Sequence, residues 1–284
     1  MKSAQILDGK LIAKQLIEYI AKKISKRIQK GYQAPGLAVI LVGDNPASEI
    51  YVRNKVKACK QTGIISTSHK LPINVSEKEL YYLIDELNED NNIHGILVQL
   101  PLPRHINETE VTNRILPHKD VDGFHAENVG RLALRQPGLR PCTPRGIMTL
   151  LAKYNIVPKS KHCVIVGASN IVGRPLMLEM LYQGATVTIC HRFTRNLQQH
   201  VSNAEILCVA VGNPDIVKAS WIPDGCIVVD VGINRQDNGQ LCGDIDFEAL
   251  KHKASWISPV PGGVGPMTVA TLMQNTYEAQ QSQC

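Results

Sequence analysis

Ser48, Tyr51 and Lys55 fall at helical intervals beside an apolar stripe of Val52, Val56 and Cys59, so a phenol and an amine share one side of a helix. A tyrosine can orient an aromatic ring and a lysine can move a proton. At the edge of an apolar face the same two residues are also the ordinary pattern of side chains that bury their stems and keep their heads in water. A polar residue next interrupts an apolar run. After Gly95-Ile96-Leu97-Val98 comes Gln99, followed by Leu100-Pro101-Leu102-Pro103. An amide at the carboxyl end of a buried strand either closes a loop by hydrogen bonds or faces a ligand. Lys119-Asp120-Val121-Asp122-Gly123-Phe124 then sets two carboxylates beside a glycine, a composition that by itself describes an Asx-turn.

A second stretch points at a phosphate. Residues 163–175 read CVIVGASNIVGRP. The leading apolar residues suit a buried parallel strand, Gly167 allows a sharp turn, and from Ile171 the spacing is that of a helix running to 183. Such a strand–turn–helix aims backbone N–H groups and a positive helix end at one spot, where an anion can sit. Ser169 stands where the usual dinucleotide fingerprint has its second glycine, so an ordinary strand–turn–helix remains the alternative. The next strand, 186–190, exits into His191-Arg192-Phe193-Thr194-Arg195, without the carboxylate that holds a ribose 2′-hydroxyl in NAD sites. A cationic exit suits a 2′-phosphate, so NADP is expected rather than NAD. Read without the preceding turn, the same loop is a solvated basic segment.

These residues need a frame. Apolar positions Leu16, Ile20, Ile24 and Ile28 opposite a lysine-rich face predict a helix over 11–30, closed by Gly31. A buried strand is expected at 37–42, a helix at 47–62 stopping at Gly63, and a short strand before Pro72. Ser76 with Glu79 forms a capping box opening a helix to 88, and 93–100 and 107–116 read as a strand and a helix. The proline-rich segment 137–144 is the expected linker, with Thr143 as N-cap of a helix over 144–154. Strands follow at 163–166, 186–190, 206–211, 226–231 and 256–258, and a last helix at 267–281. Strand and helix alternating in this way predict parallel sheets covered on both faces. The expected architecture is two α/β domains with a cleft between them, the C-terminal one a Rossmann-type doubly wound parallel sheet. The domains are expected at 1–140 plus 267–284, the last helix packing back, and at 141–266.

At 284 residues the chain has room for two cores, and 44% hydrophobic with 20% charged residues fits a soluble globular protein. A net charge of +6 suits an anionic ligand, but with 5% aromatic residues it is too diffuse to argue for nucleic acid. No apolar run approaches membrane-spanning length, and the first residues carry no signal-peptide core. The eight cysteines are scattered without a Cys-x-x-Cys pair, which reads as buried thiols in a reducing cytoplasm. The nine histidines show no metal-ligand spacing, and no bound metal is expected.

Together, Tyr51 with Lys55, the run 98–103, Asp120-Val121-Asp122-Gly123, the turn 167–175 and the PVPGGVGP of 259–266 resemble the bifunctional methylenetetrahydrofolate dehydrogenase/methenyltetrahydrofolate cyclohydrolase family. The resemblance runs in order over essentially the whole chain. It implies two steps of one-carbon folate interconversion. In the first, NADP+ oxidises 5,10-methylenetetrahydrofolate to the 5,10-methenyl cation. In the second, water opens that cation to 10-formyltetrahydrofolate. The flanking nitrogens stabilise the cation, so hydride transfer needs alignment more than an acid or base, whereas hydrolysis needs proton transfer.

By the same resemblance Lys55 matches the catalytic lysine, and a neighbouring substrate cation would favour its neutral form as a base. Gln99 would position that lysine, Tyr51 would stack on and orient the ring, and Asp122 would read the pterin through two oxygens. Leu100 and Pro261-Gly262-Gly263 would line the folate, with glycine letting the backbone approach closely. Gly167, Ala168 and Ser169 match the pyrophosphate-side turn, Arg192 the 2′-phosphate contact, and Gly232-Ile233 the backbone beside the nicotinamide. Ala168 and Arg192 look like those of NADP users. Asp120 reads as structural, and a cytoplasmic homodimer is implied. A monofunctional dehydrogenase of the same family would leave Lys55 without evident use. A nucleotide-binding regulatory module that kept only the fold is the alternative from another class, and the intact Tyr51, Lys55, Gln99 and Asp122 set argues against it.

Overall fold

The computed structural model describes residues 3–214, 216–236 and 239–283. The chain begins with β1 (Gln5–Ile6) and α1 (Gly9–Ile28), then β2 (Gly36–Val42), α2 (Pro46–Thr62), β3 (Ile65–Leu71), α3 (Glu77–Glu89) and β4 (Gly95–Val98). Short helices α4 (Glu108–Arg114) and α5 (Ala126–Ala133) precede α6 (Cys142–Lys153). There follow β5 (His162–Val166), α7 (Gly173–Tyr182), β6 (Thr186–Cys190), α8 (Leu197–Val201), β7 (Ile206–Val209) and β8 (Ile227–Asp230). A small antiparallel pair, β9 (Asn234–Arg235) and β10 (Leu241–Cys242), leads to α9 (Phe247–Leu250), β11 (Trp256–Ile257) and α10 (Val264–Gln283).

These elements form two compact units. One holds Lys14–Cys142 with α10 from Val269 onward; the other holds Thr143–Thr268 with the N-terminal segment through Ala13. Residues 3–13, expected with the N-terminal domain, thus lie with the later one. The reason is β1, which pairs in parallel with β11, Gln5 opposite Trp256. Two residues are too short to stand out as a strand in a sequence.

In the first unit the sheet order is β3-β2-β4, all parallel. The central β2 is buried along its whole length, as a strand covered on both faces must be. The helix after it is fixed at both ends. The Asn45 side chain accepts from the Ala47 and Ser48 amides at 2.9 and 3.2 Å, and Gly63, at φ 82°, returns its N–H to the Cys59 carbonyl at 3.0 Å. The Ser76–Glu79 capping box opens α3. At its other end the buried ammonium of Lys119 donates to the Leu87, Asn88 and Asp90 carbonyls at 3.1, 2.7 and 2.8 Å, satisfying groups a helix end leaves orphaned. Leu272, Met273 and Ala279 of α10 join the core of this unit with Ile20, Leu37 and Leu97.

In the second unit six parallel strands run in the order β6-β5-β7-β8-β11-β1. The chain goes from β5 to one side for β6, then crosses to the other side for β7. This reversal is a topological switch point, the place where doubly wound sheets bind their ligands at the strand carboxyl ends. The Rossmann-type sheet is therefore present. Some bounds differ from expectation. Thr143 is not an N-cap: α6 starts at Cys142, and the Thr143 hydroxyl meets that of Thr268 at 2.9 Å. The last helix begins at Val264, a turn earlier than its spacing suggested, and the strand expected over 93–100 covers only Gly95–Val98.

Candidate active site

In the first unit, the carboxyl end of the three-stranded sheet gathers the expected side chains. Gln99 continues the ladder past β4, its N–H bonded to the Ile40 carbonyl at 2.9 Å. Beyond β4 the chain returns through a parallel bridge between Ile96 and Asp120, so Asp122 emerges on the same end as Gln99. Gly95 makes this approach possible, because a Cβ there would lie 2.5 Å from Val121 Cγ1.

Lys55 projects from α2, one turn beyond Tyr51. It is 7% exposed, and its Nζ donates to Gln99 Oε1 at 3.0 Å. An ammonium only donates, so the amide must present its oxygen. Its Nε2 donates in turn to the Leu100 carbonyl at 2.7 Å. Gln99 is thereby held at both ends, closing its own loop and seating the lysine. Burial pushes the Tyr51 phenol up from its ordinary range.

Asp122 is half-buried. Burial raises its carboxyl, while the Lys55 ammonium and the Cys142 thiol pull it back. Its turn is pinned from behind. Gly123, at φ 78°, leaves no room for a Cβ, which would lie 2.5 Å from the Arg140 carbonyl carbon and the Pro141 nitrogen. Asn275 of α10 donates to the Val121 and Arg140 carbonyls, both at 2.8 Å. Asp120 is buried, accepting from the Gly123 and His125 amides and from Asn128 Nδ2 at 3.1, 2.7 and 2.9 Å. It braces this loop, and burial above all pushes its carboxyl up to about 6.

The other unit presents backbone rather than side chains. Gly167, at φ 116°, follows β5, and a Cβ on it would lie 2.2 Å from the Ala210 carbonyl oxygen after β7. Gly173 is equally confined, its Cβ position 2.0 Å from the Gly167 oxygen. Between them the Ser169 hydroxyl accepts from the Val172 and Gly173 amides at 3.2 and 3.4 Å. It ties the turn to the first residue of α7 where the common fingerprint has glycine, and Ala168 lends its carbonyl to Arg174 Nε at 3.2 Å. After β6, Arg192 is exposed and stacks 4.7 Å from the Phe193 ring centroid. After β8 comes Gly232, where a Cβ would strike the Asp244 carboxylate at 2.1 Å, then the 40% exposed Ile233. After β11, Gly262 has φ 112°, and Gly263 packs so tightly on Gly9 that a Cβ on Gly9 would lie 1.8 Å from its oxygen. Pro261 leads into this turn.

Model sequences of two domains of one family match: the tetrahydrofolate dehydrogenase/cyclohydrolase catalytic domain over residues 7–122, and the NAD(P)-binding domain over 141–284. The chain belongs to the tetrahydrofolate dehydrogenase/cyclohydrolase family. Solved structures agree. A bifunctional methylenetetrahydrofolate dehydrogenase/cyclohydrolase from Campylobacter jejuni is 47% identical, with 99% of this chain and 100% of that one covered and a TM-score of 0.97. A 5,10-methylenetetrahydrofolate dehydrogenase from the silkworm Bombyx mori is 42% identical, covering 99% of each chain, at a TM-score of 0.94. The dehydrogenase-cyclohydrolase of Trypanosoma brucei, solved with NADP and an inhibitor, is 35% identical over 99% of each chain, also at 0.94.

Several residues that hold these turns and side chains in place were not singled out from the sequence. Asn275 and Cys142 brace the Asp122 turn, Gly173 completes the Gly167 turn, and Asp244 seats against Gly232.

Proposed function

We propose that this family member oxidises 5,10-methylenetetrahydrofolate with NADP+ and hydrolyses the methenyl product to 10-formyltetrahydrofolate, with Lys55 as the proton-transfer group of the second step. The supporting observation is the Lys55–Gln99 pair: a buried amine held at 3.0 Å by an amide whose other end is tied to the Leu100 carbonyl.

For the cofactor, the glycine turn Gly167–Ser169 with the start of α7 would hold the pyrophosphate, Arg192 the 2′-phosphate, and Gly232-Ile233 the nicotinamide half. The residues fit such a group. Two glycine positions have no room for a side chain, and no carboxylate follows β6 to repel a 2′-phosphate. When bound, NADP+ supplies the hydride acceptor for the methylene carbon.

The chain's own residues do the rest. Asp122 accepts N–H groups of the pterin and fixes the ring, Tyr51 stacks on and orients it, and Leu100 borders the folate. In hydrolysis a water attacks the methenyl carbon while Lys55 takes one of its protons; as the carbon–N5 bond then breaks, the carbinol hydroxyl gives up its remaining proton to become the formyl oxygen, N5 gains a proton, and the formyl group stays on N10. Gln99 keeps the amine aimed at that water and accepts its N–H throughout. Hydride transfer has no use for a base so placed, which favours the bifunctional reading over a dehydrogenase alone. The free, mostly buried cysteines among the described residues support a reducing, cytoplasmic setting, and no helix described is long and apolar enough to cross a membrane. The family resemblance supports a homodimer, which light scattering of the purified protein tests.

The experiment is an assay of the purified protein on methylenetetrahydrofolate with NADP+ or NAD+, recording reduced cofactor and the methenyl chromophore together. Expected are faster turnover with NADP+ and decay of the chromophore on the enzyme. A chromophore that accumulates and decays no faster than without protein would reject the cyclohydrolase.

A further inference from the structure

The strand ends that would face the nicotinamide are tied together by two buried acids that none of the chemistry above uses. Asp244, fully buried, follows β10. Its Oδ2 accepts from the Val211 and Gly212 amides, the turn after β7, at 2.7 and 3.0 Å. Its Oδ1 accepts from Asn234 Nδ2, just after Gly232-Ile233, at 2.8 Å. Asp230, at the end of β8 and 3% exposed, accepts from the Gly232, Asp244 and Ile245 amides at 3.1, 3.0 and 3.2 Å. The two loops interlock through glycines. A Cβ on Gly232 would lie 2.1 Å from the Asp244 carboxylate, and one on Gly243 would lie 1.7 Å from Asp230 Oδ2. The same turn after β7 presents the Ala210 oxygen against which Gly167 is packed. One contiguous set of contacts therefore runs from the Gly167 turn through residues 210–212 to Gly232 and Asn234.

We propose that Asp244 is a positioning residue for hydride transfer, holding the turn after β7 and the Gly232–Asn234 turn after β8 in the one arrangement that aligns the nicotinamide. The inference rests on the dehydrogenase reading of Gly232 and Ile233. Its physical motive is the cost of the arrangement. Burying two like-charged carboxylates side by side opposes folding, and burial together with the Asp244 charge pushes the Asp230 carboxyl up to about 7. A brace needed for stability alone is better built from neutral groups. An arrangement kept at a cost to stability is characteristic of sites where geometry serves function. Two carboxylate oxygens accept from both turns at once. An amide at this position would turn an N–H group toward one of those donors.

Asp244→Asn and Asn234→Ala test this, each assayed for NADP-dependent oxidation and, separately, for hydrolysis of supplied methenyltetrahydrofolate. Misalignment lowers turnover more than affinity. Oxidation kcat is expected to fall about 30-fold in Asp244→Asn and about 3-fold in Asn234→Ala, with KM for NADP and the hydrolysis rate within about 2-fold of wild type. Equal loss of both activities, a rise in KM alone, or unchanged oxidation would overturn the role. Asn234→Ala keeps the carboxylate and every backbone bond to it, so it carries the same split if Asp244→Asn does not fold. A wild-type protein without NADP-dependent oxidation would instead sink the dehydrogenase reading, whereas an active wild type with two normal variants would sink only Asp244.

Discussion

The two units differ in what they offer a ligand. In the Lys14–Cys142 unit the sheet end carries polar side chains, an amine, an amide and a carboxylate, with the carboxylate's turn held by Asn275. In the Thr143–Thr268 unit the corresponding strand ends carry bare backbone, with glycines wedged against carbonyls and carboxylates. The first arrangement suits proton transfer and reading of a ring, where a specific atom must be present. The second suits a long anionic cofactor, where side chains must be absent. Removing a group should disable the first, and adding a methyl should disable the second.

The largest effect is expected from Lys55→Met. General acid–base groups contribute about 10²- to 10⁴-fold, and hydrolysis of supplied methenyltetrahydrofolate should fall by that order. The reciprocal variant is Gly167→Ala, whose Cβ has only 2.2 Å to the Ala210 oxygen at a φ of 116°. NADP-dependent oxidation should fall about 100-fold, and hydrolysis should persist; an unaffected oxidation rate would mean the turn tolerates a side chain. Asp122→Ala should raise the KM for folate by about 10- to 100-fold, the worth of a charge-assisted bidentate contact, and an unchanged KM would remove its pterin-reading role. Arg192→Ala should weaken NADP about 10-fold and leave NAD within about 2-fold; equal weakening would place the 2′-phosphate contact elsewhere.

The smallest effect is a pH signature of opposite sign in the two units. Buried His94 accepts the Gly36 N–H on Nδ1 at 3.0 Å, and burial, aided by Lys119, lowers its pKa below the ordinary 6.5. The unfolded chain then binds the proton more readily, so this contribution to stability is complete above pH 6.5 and is lost as pH falls below it. Asp230 behaves the other way. Its carboxyl titrates near 7 when folded against about 3.9 unfolded. The folded form holds the proton more tightly, so stability declines as pH rises from about 4 through 7. Thermal unfolding of Asp230→Asn across that range should show a smaller decline than wild type. An identical profile would contradict the buried-acid account.

Much of this was legible in the sequence. Gly63 at the end of α2 and Ser76 with Glu79 opening α3 are local signals; the first closed the helix that carries Tyr51 and Lys55, and the second opened the helix after it. The alternation of apolar strands with helices gave the parallel sheets. What escaped depended on distant partners or unusual chemistry. Helix α5 is capped by a histidine ring, with His125 Nδ1 accepting the Glu127 amide at 3.0 Å, a residue not normally read as a cap. Two-residue β1 is a strand only because β11 lies beside it. Lys119 appears as one more charge in a turn until the end of α3 comes to rest on it. The bracing of Asp122 by Asn275 joins residues separated by 154 positions at the Val121 carbonyl, and no spacing rule links them.

The most direct test of the division between the units is the stoichiometry of the Lys55→Met variant supplied with methylenetetrahydrofolate and NADP+. The account predicts that NADPH and the methenyl chromophore rise together, one for one, and that the chromophore then persists. A chromophore that still decays at the wild-type rate, or NADPH formation that is lost along with hydrolysis, would contradict it.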